Sequence, residues 1–291
     1  MFTTRFRLLS CYLITSLLAA CGAGVQYIDD DFPGTEPRLF AEDIVNVPGR
    51  LQQSLTMSPS GDEYYFTETS GEEWRYLRIL RARRTNGTVA LDTPRFVTDF
   101  RFDKEWFIGE PMLSADNDQL FFVANYPPDL FVADRLPDGN WSTPVRHPLS
   151  TTSADWYPTF SGSDLLFTNG TIYRSRLTDG DYETKERLRA PVNDFDMRDP
   201  VMDSARRLLI FTKEVDKATG QTDLYVSFKV DEVWKEPLAL DTKINTEEFE
   251  FAPYISPDGK FLFFSRRDTW QNASFSNIYW VDIDAVNKLM P

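Results

Sequence analysis

One short phrase of sequence recurs five times in this chain, and it limits the fold more than any other feature. It is plainest at 252–265, APYISPDGKFLFFS. Weaker copies are LTMSPSGDEYYFTE (55–68), EPMLSADNDQLFFVA (110–124), YPTFSGSDLLFTN (157–169) and DPVMDSARRLLIFTK (199–213). Taking Thr56, Pro111, Pro158, Pro200 and Pro253 as equivalent gives steps of 55, 47, 42 and 53 residues. A period of about 40–50 residues is the size of one four-stranded propeller blade with loop insertions.

Each copy opens on a short apolar stretch that often starts with proline, such as Pro111-Met112-Leu113 or Pro253-Tyr254-Ile255. Proline lacks a ladder N–H and belongs at the first residue of a strand or on an edge. A turn follows, Ser256-Pro257-Asp258-Gly259 or Ser58-Pro59-Ser60-Gly61, with looser forms at Ser114–Asn117 and Ser161–Asp164. Proline presets φ in such a turn and glycine supplies φ > 0. Next comes an aromatic run without polar alternation: Tyr64-Tyr65-Phe66, Leu120-Phe121-Phe122-Val123, Leu165-Leu166-Phe167, Leu208-Leu209-Ile210-Phe211 and Phe261-Leu262-Phe263-Phe264. Such a run predicts a strand covered on both faces. A third, more mixed strand includes Leu130-Phe131-Val132-Ala133 and Ile278-Tyr279-Trp280-Val281. A fourth, outer element carries Trp-x-x-Pro at Trp141–Pro144 and Trp234–Pro237, with Pro94 in that slot of the first copy; the third copy has lost it between Tyr182 and Val192.

The last copy ends at Ile283 without a fourth strand, and the missing piece stands at the other end. Glu36-Pro37-Arg38-Leu39 precedes the first copy much as Glu236-Pro237-Leu238-Ala239 precedes the last. The expectation is an all-β, five-bladed β-propeller over residues 36–291 whose N-terminal strand completes the C-terminal blade. A six-bladed ring with one degenerate blade and an open β-sandwich are the competing readings, and no residues are left over for a sixth unit.

Residues 1–24 read as a targeting segment. Arg5 and Arg7 form a basic front, and the apolar stretch Leu8–Ala20 is short of the ~20 residues that span a bilayer. It ends in Leu18-Ala19-Ala20-Cys21-Gly22. This resembles the bacterial lipobox, which implies a signal peptide over residues 1–20 and an acylated Cys21; an ordinary secretory leader with an incidental cysteine is the alternative. By the same resemblance Gly22 implies sorting to the outer membrane, with the periplasmic face preferred. Residues 21–35 then form a tether, and Gly22–Pro33, with three successive aspartates, read as solvated. Cys11 leaves with the leader, so no disulfide forms within the mature chain. That chain carries 29 basic and 45 acidic residues, a net charge of −16, which disfavours nucleic acid and anionic lipid as partners.

The repeat resembles the WD40-like β-propeller repeat of bacterial envelope proteins, related to the propeller of the TolB family. That unit runs from an acidic residue and a proline through Ser-Pro-Asp-Gly and an aromatic strand to Asp-Ile-Tyr. Glu248–Asp282 follows it, with Asn277-Ile278-Tyr279 in the last slot. The resemblance covers about residues 36–283 and implies the propeller fold and an envelope setting. It implies no activity, since one fold hosts many functions.

Chemistry is sparse. The single histidine, His147, is expected at the outer rim as a surface residue, and Arg81-Ala82-Arg83-Arg84 as a solvated strand end. Without His pairs, Cys pairs or a glycine-rich phosphate loop, no metal site, cofactor or catalytic residue is assigned. Carboxylates stand where loops enter the first strands: Glu110, Asp155, Asp199 and Glu248, with Glu105 and Asp196 as further members. Trp106, Trp156 and Phe251 lie near the same place and suit either packing or stacking on a sugar or peptide. Glu110, Asp155, Trp156, Asp199, Glu248 and Phe251 are therefore the candidate axial contacts. The first reading is a non-catalytic, membrane-anchored scaffold that binds an envelope protein, peptide or glycan. The second is a five-bladed glycoside hydrolase using two of the four carboxylates, which needs a facing pair with one raised pKa.

Overall fold

Aromatic runs without polar alternation need cover on both faces, and in the structure each one has it. The computed structural model describes residues 25–70, 77–96, 107–189, 191, 197–203, 205 and 207–291. A short strand, β1 (Arg38–Leu39), precedes five successive antiparallel sheets. The first holds β2 (Leu51–Met57), β3 (Glu63–Thr69), β4 (Leu77–Thr85) and β5 (Thr88–Asp92). The second holds β6 (Ile108–Leu113), β7 (Gln119–Ala124), β8 (Asp129–Asp134) and β9 (Val145–Arg146). In the third, β10 (Trp156–Ser161), β11 (Asp164–Thr168) and β12 (Ile172–Ser175) are followed by a small hairpin, β13 (Leu177–Thr178) and β14 (Asp181–Tyr182), before β15 (Glu186–Arg187) pairs with β12. The fourth contains β16 (Met197–Asp203), β17 (Leu208–Asp216), β18 (Gln221–Val230), β19 (Val233–Trp234) and β20 (Leu238–Ala239). The fifth contains β21 (Phe249–Ile255), β22 (Phe261–Arg267) and β23 (Ser276–Asp282), and a single helical turn, α1 (Asp284–Asn287), follows it.

The fold is a β-propeller. Its innermost strands neighbour one another in order, β2 beside β6, β6 beside β10, β10 beside β16, β16 beside β21, and β21 beside β2. β1 pairs with β23, Arg38 opposite Trp280 and Leu39 opposite Tyr279, so residues from the front of the chain supply the outer strand of the last sheet. Alternate residues of each aromatic strand enter different apolar clusters. On β3, Tyr64 and Phe66 join the cluster at Trp280 and Phe263, whereas Tyr65 joins the one at Phe122 and Trp141. On β22, Phe261 and Phe263 face one way and Leu262 and Phe264 the other.

The turns out of the innermost strands share a device. The Ser58, Ser114 and Ser256 hydroxyls each accept a backbone N–H from the start of the next strand, those of Glu63, Gln119 and Phe261. Gly61 and Gly259 sit at φ of 79° and 68°, and Asn117 takes the same region at 64°. These turns, with those joining third to fourth strands, define one face of the ring, here the hairpin face. Loops leading into the innermost strands define the opposite, entry face.

Four sequence expectations are corrected. Counting back from the turns places Thr56 opposite Tyr65 as Met112 lies opposite Phe121, so Leu55, one residue earlier, and not Thr56 matches Pro111 and the other prolines. β5 precedes Pro94, whereas β9, β20 and β1 follow Pro144, Pro237 and Pro37. Arg81 is not a solvated strand end: it is 2% exposed and makes a two-pronged contact with Asp92 at 2.8 and 2.9 Å. The assigned tether is docked through Tyr27, Ile28, Asp29 and Pro33, while Asp30, Asp31 and Phe32 stay exposed. Tyr27 is 8% exposed, meets Phe261 edge-on at 5.1 Å and donates to Asp258 Oδ1 at 2.6 Å. Gln26 N–H donates to the Ser60 carbonyl at 2.9 Å, and a Cβ at Gly61 would collide with the Gln26 carbonyl. The lipobox residues Leu18, Ala19, Ala20 and Cys21 lie outside the described residues, as do Glu105, Trp106 and Asp196.

Candidate functional site

Every innermost strand breaks register once. The irregularities fall between Gln53 and Leu55, Gly109 and Met112, Trp156 and Thr159, Arg198 and Val201, and Phe251 and Tyr254. At each break a non-glycine residue takes positive φ: Ser54 (53°), Glu110 (54°), Tyr157 (51°), Asp199 (48°) and Ala252 (51°). A bulge leaves its extra residue without a ladder partner and bends the strand. Proline follows in four of the five sheets, where its missing N–H costs no ladder bond.

The unpaired N–H of a bulge needs an acceptor. Glu110 N–H donates to Thr67 Oγ1 at 2.9 Å, and Ser54 N–H to Ser265 Oγ at 3.0 Å. Thr67 and Ser265 occupy the same rung of the preceding sheet's second strand, opposite Gln53 and Phe251. In the second sheet that rung is Val123, which has no acceptor. There Glu110 takes over, and its Oε2 accepts Tyr157 N–H at 2.6 Å. Asp199 does the same two sheets further on: its Oδ2 accepts Ala252 N–H at 3.1 Å and the Thr212 hydroxyl at 3.0 Å.

Glu110 and Asp199 are therefore equivalent, and both keep part of their surface accessible. Loss of water, then the nearby Asp199 charge, pushes the Glu110 carboxyl up to about 8. Burial likewise raises Asp199, against the pull of Ala252 N–H, Thr212 and Arg198. Tyr157 completes the group; its hydroxyl donates to the Pro253 carbonyl at 2.9 Å, and burial beside both carboxylates holds it neutral. Ser54, Tyr157 and Ala252 had not been singled out from sequence. For Tyr157 and Ala252 the signal available was position, one residue before the strand-opening proline; Ser54 precedes Leu55 and carries no such signal.

The other two carboxylates lie elsewhere. Asp155 is fully buried three residues before Pro158, where it accepts the Thr151 N–H and, at 2.8 Å, the Thr151 hydroxyl. Its counterpart is Glu250, three before Pro253, which holds Thr246 N–H at 3.1 Å and the Thr246 hydroxyl at 2.7 Å, and pairs with Arg266 at 2.6 Å. Glu248, chosen from sequence for this role, is half-buried in the loop before β21, and burial followed by the Asp268 and Glu250 charges raises it. The four acidic positions thus do not form one repeated set. They occupy three registers, and only Glu110 and Asp199 share one.

Trp156 and Phe251 are packing residues. Trp156 is half-buried and meets Phe107 edge-on at 5.5 Å; Phe251 is buried against Trp270 at 5.9 Å, and both touch the cluster of Tyr157 and Ala252. His147 is not a surface residue: it is 5% exposed between Phe121 and Tyr182, and burial lowers it to about 4. Among the described residues no three His, Cys, Asp or Glu side chains are grouped to hold a metal, and no helix is long and apolar enough to cross a membrane.

No family model matches the chain, and no curated protein matches it. Solved structures do. The α-L-arabinofuranosidase PaAbf62A of Podospora anserina is 9% identical, with a TM-score of 0.54 over 85% of this chain and 97% of that one. The TolB-type protein of Agrobacterium tumefaciens is 16% identical, with a TM-score of 0.50 over 81% of this chain and 78% of that one. TolB of Acinetobacter baumannii is 13% identical at a TM-score of 0.46, over 79% of this chain and only 54% of that one, so the chain spans about half its length. At these identities the likeness is one of architecture, and the architecture is that of a β-propeller.

Proposed function

We propose that the protein is a non-catalytic propeller of the bacterial envelope, anchored in the outer membrane through acylated Cys21, that presents a rigid ring to a protein, peptide or glycan. The observation that carries this reading is how the hub carboxylates are used. Glu110 and Asp199 each hold the bulge N–H of the next sheet, so their chemistry goes into joining sheets. Binding then rests on loops displayed by a stiff scaffold. Mass spectrometry of the mature N-terminus, together with fractionation of Cys21→Ser, tests the anchor: acyl mass on Cys21 and release of the variant are expected. Cross-linking in intact cells tests for the partner, and a scaffold should retain it in Glu110→Gln and Asp199→Asn.

A second reading, glycoside hydrolysis, has one observation in its favour. Glu110 is raised to about 8 with Asp199 charged nearby, which resembles the acid member of a carboxylate pair. Hydrolysis of an aryl arabinofuranoside by the wild-type protein, lost in both Glu110→Gln and Asp199→Asn, would establish it. No turnover by a cooperatively folded sample supports the scaffold.

A further inference from the structure

The chain enters the ring at a defined place. Gln26 N–H is bonded to the Ser60 carbonyl at the tip of the β2–β3 turn, on the hairpin face. From there the segment crosses the seam between first and last sheets. The Tyr27 hydroxyl reaches Asp258, Arg84 donates to the Tyr27 carbonyl at 2.7 Å, and Ile28 N–H meets the Tyr64 hydroxyl at 3.3 Å. Asp29 Oδ2 then accepts Ala41 N–H at 2.7 Å, before the chain pairs as β1. Phe32 stacks on Phe261 at 5.7 Å and leaves 54% of its surface exposed. Only three residues lie between Cys21 and Val25, and an extended chain covers at most about 3.6 Å per step, so four steps put the anchor within about 15 Å of that seam.

We infer that the hairpin face is turned towards the membrane and that the entry face, where Glu110 and Asp199 sit, is turned away from it. This rests on the acylated Cys21 of the reading above. The docked strap converts a flexible leash into a short one, and the attachment point is a turn tip, not the rim or the entry face. The lipid surface is the occupant of the hairpin face, and Phe32 stands on the same side. A soluble envelope partner then approaches the entry face.

The test uses the full-length lipidated protein in phosphatidylethanolamine–phosphatidylglycerol vesicles that contain a nitroxide headgroup lipid. The acylated Cys21 is blocked as a thioether, so single cysteines can be labelled with a fluorophore. Ser163→Cys and Thr88→Cys report the hairpin face, Lys217→Cys and Gln271→Cys the entry face; all four positions are exposed. Quenching is expected to be at least about twofold stronger at 163 and 88. Inserting about 20 Gly/Ser residues between Cys21 and Val25 should level the four signals while the protein still floats with the vesicles. Equal or reversed quenching in an acylated, floating protein overturns the orientation alone, as does a difference that survives the spacer. A chain without acyl mass that fails to float overturns the anchored reading and the orientation together.

Discussion

Glu110 Oε2 accepts the backbone N–H of Tyr157 at 2.6 Å across the boundary between two sheets, at the point where β10 bulges. The contact replaces a hydroxyl that the second sheet lacks. Thr67 caps the neighbouring bulge from a rung that Val123 fills here.

Glu110→Ala should therefore destabilise the protein by about 1–3 kcal/mol at pH 6, the cost of a buried N–H left without an acceptor. Adding Val123→Thr places a hydroxyl on the rung used by Thr67 and should return at least about 0.5 kcal/mol. Urea titrations of both variants check this. Purely additive losses would mean that the rung does not serve the bulge.

Removing an existing cap should be as costly. Thr67→Val and Ser265→Ala each leave a bulge N–H, of Glu110 and of Ser54, without its acceptor, and should lower stability by about 1–3 kcal/mol. For a domain of this size that is a melting shift of roughly 2–10 °C by calorimetry. Lys217→Gln, at an exposed turn, is the comparison and should stay within about 0.5 kcal/mol.

The hub should also set a slope in stability against pH. With its carboxyl raised to about 8, native Glu110 keeps a proton that the unfolded chain loses near 4.3. Its contribution is fully present below about 4.3 and is lost as pH rises through 8. His147 works in the opposite direction: lowered to about 4, its contribution is present above about 6.5 and lost as pH falls through 4. Melting scans from pH 5 to 8.5 should show wild-type losing stability relative to Glu110→Gln, with the largest relative loss at the alkaline end. Parallel curves would contradict the raised carboxyl.

The strap should contribute to closure of the ring. Tyr27→Ala removes a buried ring beside Phe261 and Trp280 and leaves Asp258 without its phenol donor. A loss of about 3 kcal/mol is expected. Hydrogen exchange should rise first in residues 25–45 and along β23. Unchanged protection there would show that β1 holds the seam without help.

Much of the architecture was legible because it is written in spacing. The period, the serine-led turns and the aromatic strands describe units that cannot bury both faces alone, and the missing fourth strand pointed to residues 36–45, of which Arg38 and Leu39 pair with β23. The strap was misread for a local reason. Three aspartates and a leading glycine look solvated, and nothing nearby says that Tyr27 has a slot between Phe261 and Trp280. Arg81 and His147 were misread similarly, since their partners Asp92 and Tyr182 come from other strands.

The candidate site shows the same division. Sequence fixed attention on acidic residues before the first strands, because residue type and proximity to proline are one-dimensional facts. It did not separate Glu110 and Asp199, on the bulge, from Asp155 and Glu248, which hold other registers. A bulge is a mismatch between two strands and exists only once they pair. Which carboxylates meet at the axis, and which amides they hold, was decided by five strands coming together around one hub.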